Sequence, residues 1–103
     1  MKSSILKDSI HAVINLHRKD SPILSNKLQE DYKISGEQLR EVIRELRRDG
    51  YPIASNRTGY FKAVNYAELE ETIINLEARC SSMYKTVTAL KKIFSNEQSN
   101  LFN

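Results

Sequence analysis

Between Lys33 and Thr58 the chain gathers side chains suited to phosphates and nucleobase edges. Lys33, Arg40, Arg44, Arg47, Arg48 and Arg57 are cations, and Ser35, Gln38, Asn56 and Thr58 are neutral hydrogen-bonding groups. Arginine's planar fork fits a phosphate or the O6/N7 edge of guanine, and glutamine can pair with adenine. Glu37 and Glu41 stand among them; a carboxylate accepts from cytosine N4 but is otherwise repelled by phosphate. At i, i+3 spacing, Glu37 with Arg40 and Glu41 with Arg44 can equally form surface pairs worth only about 0.2–0.5 kcal/mol each.

The charge distribution agrees with that location. Residues 1–64 hold 12 Lys/Arg against 8 Asp/Glu, a balance of +4, whereas residues 65–103 hold 4 against 5, a balance of −1. A nucleic-acid footprint therefore belongs to the first two thirds.

Bond-making chemistry is not signalled. There is no glycine-rich phosphate loop, no pair of carboxylates in an apolar setting and no nucleophile with a base in reach, so an enzyme is not expected. One cysteine and two histidines cannot make a structural zinc set, and His11 and His17, six apart, do not share a helix face. No metal or other cofactor is expected. Cys80 cannot form an internal disulfide, which fits a reducing compartment. No apolar run approaches the roughly 20 residues of a membrane span, and "MKSSILKDSIHAV" lacks a signal-peptide pattern. The expected location is the cytoplasm of a bacterial host cell, or its nucleoid, with no membrane partner.

These side chains need elements to hold them. Ile5, Leu6, Ile10, Val13, Ile14 and Leu16 predict a first helix over 4–17. Ser21 and Pro22 read as an N-cap and first helical position, opening a second helix that ends near Asp31 and turns Ile23, Leu24 and Leu28 inward. Ser35 and Gln38 form a capping box, followed by the buried stripe Leu39, Val42, Ile43 and Leu46, so a third helix spans 36–49 and stops at Gly50. "YPIAS" and "YFKAV", joined by "NRTG", predict a β-hairpin over 51–64. Pro52, lacking an N–H, puts the first strand at an edge.

That order of elements is the order of a winged helix-turn-helix, and the residues carry a resemblance too. "ISGEQLREVIRELRRDGYPIASNRTGYFKA" resembles the winged helix-turn-helix family typified by the N-terminal domain of the bacterial biotin repressor, and is similar to small phage-encoded winged-helix proteins. In that family a serine opens the recognition helix, an L-R-x-x-G-Y-x-I run closes it and G-Y begins the second wing strand. The match covers Ile23 to Val64. It implies that helix 36–49 enters the major groove, that Ser35 and neighbouring N–H groups face a phosphate, and that Arg57 and Thr58 sit at the wing tip near the DNA backbone. Gly36 and Glu37 depart from the basic residue that often follows the serine.

The tail carries a second pattern. Asn65 and Glu68 form another capping-box-like start, and Tyr66, Leu69, Ile73, Leu76, Cys80, Met83, Val87, Leu90 and Phe94 follow at alternating steps of three and four. This heptad seam predicts a coiled-coil helix over 65–96 that forms a homodimer, with residues 97–103 as a frayed tail. In a parallel pair the flanking contacts would be Thr72 with Glu77, Arg79 with Tyr84 and Thr86 with Lys91, none of them an ion pair. β-branched Ile73 and Val87 at heptad position a, over Leu69, Leu76 and Leu90 at d, lean toward a two-stranded parallel pair, while antiparallel pairing and a fold-back at "CSSMY" remain open.

The fold class expected is mainly α with a small β-hairpin, a winged helix-turn-helix over 1–64 followed by a long C-terminal coiled-coil helix. The function expected is a dimeric regulator of transcription, of phage or mobile-element type, that binds double-stranded DNA. The alternatives are a replication or origin-binding accessory protein, and a winged helix that binds a protein instead of DNA.

Overall fold

The computed structural model describes residues 2–95; the expected frayed tail, 97–103, lies outside them. The elements in chain order are α1 (Lys2–Ile14), α2 (Ser25–Tyr32), α3 (Gly36–Arg48), β1 (Ile53–Ser55), β2 (Tyr60–Lys62) and α4 (Tyr66–Ile93). The chain is thus mainly helical with one antiparallel hairpin and a long last helix. Among the described residues, no helix is long and apolar enough to cross a membrane. The contacts divide the chain into one compact unit, Met1–Thr72, and a second, Ile73–Asn103.

α1 buries Ile10 and Ile14 and half-buries Leu6 and Val13, the members of its apolar set at true helical spacing. Ile5 and Leu16 break that spacing and stay in solvent, at 69% and 82% exposed. The helix also ends three residues earlier than expected. Leu16 and His17 donate to the carbonyls of Val13 and Ile14 in tighter i−3 bonds, and the Arg18 guanidinium donates to the Asn15 carbonyl at 2.6 Å.

The expected helix start at Ser21–Pro22 is not what forms. Ile23 is extended and pairs with Tyr60 through two backbone bonds, 2.8 Å from its own N–H and 2.9 Å to its carbonyl, so α2 begins only at Ser25. A residue with both backbone groups satisfied across a bridge cannot also open a helix. Leu24, expected inside, is exposed, and Leu28 is the buried residue of α2.

Lys33 closes α2 in the left-handed region at φ 53°, its N–H returning to the Gln29 and Glu30 carbonyls. After Ile34 the expected capping box forms in full: Ser35 Oγ accepts from the Gln38 N–H at 3.1 Å and Gln38 Oε1 accepts from the Ser35 N–H at 2.9 Å. Leu39, Val42, Ile43 and Leu46 are buried as predicted. Gly50 takes φ 101° and lets the Tyr51 N–H reach the Leu46 carbonyl while its own N–H reaches Arg47, a Schellman closure.

The hairpin pairs Ile53 with Lys62, Ala54 with Phe61 and Ser55 with Tyr60, and its strands are two residues shorter than predicted at their outer ends. Asn56 Oδ1 accepts from the Thr58 and Gly59 N–H groups, folding the connection. Successive strand residues face opposite sides, so Ile53 joins the main core with α1, α2 and α3, while Ala54 and Phe61 form a second cluster with Ala63 and Leu69. β2 is bridged by Ile23 on its free side, leaving β1 at the edge as Pro52 requires.

α4 starts at the Asn65 cap, whose Oδ1 accepts from the Glu68 N–H; Glu68 reaches back to the Val64 N–H, one residue beyond the expected partner. Its buried residue is Thr72, which lies outside the predicted seam. Thr72 Oγ1 accepts from the Ser55 N–H at 3.0 Å and donates to the Ser55 carbonyl at 3.3 Å, filling the edge of β1. Leu69, expected at a dimer interface, packs on its own hairpin. The first unit consequently runs to Thr72, past the boundary that the Asn65 cap suggested. α4 is unbroken through Cys80–Tyr84, which rules out the fold-back there.

Candidate nucleic-acid interface

α3 sorts its side chains sharply. The four apolar residues are buried, and Glu37, Gln38, Arg40, Glu41, Arg44, Glu45 and Arg48 are all exposed. Glu37 lies in the first turn and Arg47 and Arg48 in the last, the arrangement that the helix dipole favours.

Within this set the candidate residues fall into two groups. Some are used by the fold itself. Arg47 is half-buried, its Nε donating to the Ile53 carbonyl at 2.8 Å and its Nη2 to Ser55 Oγ at 3.3 Å, so it ties α3 to β1 rather than standing as a surface cation. Ser35 Oγ and Gln38 Oε1 are occupied by the capping box. Asn56 spends its carbonyl oxygen inside the turn.

The others are presented to solvent. Lys33, Arg40, Arg48, Arg57 and Thr58 are exposed, the last two at the hairpin tip. Arg40 lies back toward Gly36, where a Cβ would meet its Nη1 at 3.3 Å. Arg44 pairs with Glu41 at 2.9 Å, both about half exposed. The second pair allowed by spacing, Glu37 with Arg40, does not form among the described residues.

The predicted seam is likewise divided. Leu69 belongs to the first unit and Ile73 is half-buried, while Tyr66, Leu76, Cys80, Met83, Val87, Leu90 and Phe94 are exposed in the single chain.

Other charged groups are placed by contacts that residue spacing does not signal. Lys7 on α1 binds Asp49 at 2.7 Å and Glu45 at 3.6 Å, just beyond and within the end of α3. The hydrogen bond to the Asp49 carboxylate holds its ammonium pKa above the usual lysine value; the charges of Asp49 and Glu45 add to this, and burial opposes it. No spacing rule joins residues 7 and 49. Lys62, half-buried on β2 with its N–H on the His17 carbonyl, adds a cation to the hairpin. His11 rests on the Tyr51 ring, centroids 3.9 Å apart, and His17 Nδ1 donates to the Ser21 carbonyl at 2.9 Å, so both histidines serve local structure. Among the described residues, no three His, Cys, Asp or Glu side chains converge as metal ligands would.

No protein-family model, no curated protein and no solved structure matches this chain.

Proposed function

We propose that the first unit is a winged helix-turn-helix and that the protein binds double-stranded DNA as a homodimer, acting as a transcriptional regulator of the kind phages and mobile elements carry. The observation that carries this reading is the division of α3: one side wholly buried, the other exposed and bearing Arg40, Arg44 and Arg48. α2, the turn at Lys33–Ser35 and α3 supply the helix-turn-helix, and the hairpin with its Ile23 bridge supplies the wing. α3 then lies in the major groove, and Arg57 and Thr58 meet the backbone. Lys33, Arg40, Arg44, Arg48, Arg57 and Thr58 are the contacts; Ser35, Gln38, Arg47 and Asn56 hold them in place. The Glu41–Arg44 pair does not stand in the way, because an exposed i, i+3 pair is worth under about 0.5 kcal/mol and a phosphate replaces the carboxylate easily. Glu41, once released, can accept from a cytosine amine.

Salt titration of binding to random and selected duplexes tests the proposal. Affinity should fall steeply with salt, and Arg57→Ala should reduce the slope of log K against log salt by about 1, as loss of one phosphate contact does. A two-fold dimer should select a palindromic or repeated site. Absence of binding even at low salt overturns the reading. In that case Glu37, exposed and without an ion pair among the described residues, favours a protein partner, which Glu37→Lys would disrupt.

A further inference from the structure

The second unit leaves the helix face Leu76, Met83, Val87, Leu90 and Phe94 exposed, with Met83 at 69% and Leu90 at 61%. We infer that this face pairs with the same face of a second copy running in the opposite direction, in a register that sets Tyr84 against its own counterpart. The inference rests on the homodimer reading above and adds its direction and register.

Charge complementarity chooses the direction. With the seam at heptad positions a and d, one flank of α4 carries Glu77, Tyr84 and Lys91, each seven apart, and the other carries Arg79 and Thr86. Antiparallel helices bring like flanks together. Centred on Tyr84, Glu77 then faces Lys91 of the second copy, and by symmetry Lys91 faces its Glu77, giving two ion pairs. Neither residue has an ion pair among the described residues, and both are exposed. A parallel pair brings opposite flanks together and makes none. Its contact at Thr72 is also closed, since that side chain is buried on Ser55.

Packing points the same way. The register opposes Leu76 to Phe94, Cys80 to Leu90 and Met83 to Val87, so the small Cys80 meets a large residue. A parallel pair stacks Cys80 on Cys80 next to Met83 on Met83, a thin layer beside a bulky one, which a close-packed seam tolerates poorly. The antiparallel overlap also uses residues 76–94 and no others of the seam, leaving Leu69 on its own hairpin.

The single native cysteine reads the direction. In the antiparallel register the two Cys80 residues are offset by ten residues, about 15 Å along the helix, beyond the roughly 7 Å a disulfide can span. The full-length dimer, identified by sedimentation, should therefore stay uncrosslinked on oxidation, whereas Leu90→Cys should crosslink to Cys80 of the second copy. At low salt, Glu77→Lys or Lys91→Glu should each raise the dimer dissociation constant roughly tenfold, since symmetry removes two pairs and adds two like-charge contacts. The double exchange should restore it, and Lys85→Glu, on the opposite side of α4, should change nothing. A Cys80–Cys80 disulfide in the wild-type dimer overturns the antiparallel inference and leaves the dimer standing. A monomer at every concentration overturns both, while duplex affinity, measured separately, reports on DNA binding alone.

Discussion

Single residues in this protein are often occupied by a neighbour that sequence spacing does not reveal. Arg47 stands beside Arg48 in the chain, yet its guanidinium bonds the Ile53 carbonyl while Arg48 is exposed. Gly59 looks like an ordinary turn residue, but a Cβ there would overlap the Ile23 carbonyl oxygen and stand 3.0 Å from the Leu24 Cα. Both neighbours are backbone and cannot swing aside. Gly59→Ala should therefore destabilise the fold by about 1–3 kcal/mol, as overpacking does, read as a lower urea midpoint. Gly36→Ala, whose nearest neighbour is the flexible end of Arg40, should stay within about 0.5 kcal/mol of wild type. An unchanged midpoint for Gly59→Ala would mean that Ile23 does not lie against the turn.

At the scale of elements, two joints are held by polar groups. Thr72 joins α4 to β1, and Thr72→Val keeps its shape while leaving the Ser55 N–H without its acceptor. That loss should cost about 1–3 kcal/mol, and Thr72→Ser should recover most of it; equal stability of the three proteins would remove the joint. Lys7 joins α1 to Asp49. Because its folded-state pKa is raised, its contribution is fully present below the unfolded lysine value and is lost as pH rises through the folded value. Denaturant titrations of wild type and Lys7→Met between about pH 9 and pH 12 should show a wild-type advantage that fades in the upper part of that window. An advantage that grows with pH would reverse the assignment.

For the whole molecule, the compact first unit ends at Thr72, within α4. The first unit keeps Leu69 and Thr72 for its own packing, so a chain ending at Ile74 should retain cooperative unfolding and lose self-association. Circular dichroism and sedimentation check the two halves of that expectation. A truncated chain that no longer unfolds cooperatively would show that residues beyond 74 stabilise the first unit. On the proposed reading of a DNA-binding homodimer, such a chain should also bind a single duplex half-site more weakly than the full-length protein binds a two-fold site, since only a dimer engages both halves.

The sequence by itself determined the parts of this protein whose signals are local: the capping box at Ser35 and Gln38, the α3 stripe, the Gly50 stop, the hairpin turn and the heptad spacing of the tail. Each depends on partners within about one or two turns of chain, so residue type and spacing contain it. Tertiary structure alone decided the rest. Ile23 became a bridge rather than a helix start because Tyr60 lay beside it, and Thr72 became the buried residue of α4 because β1 had an unpaired edge. Gln38 Oε1, the Arg47 guanidinium and Asn56 Oδ1 are engaged by backbone groups near them, while Arg57 and Thr58 stay exposed. A side chain's type records what it can bind, and only its neighbours in space determine whether it is already bound.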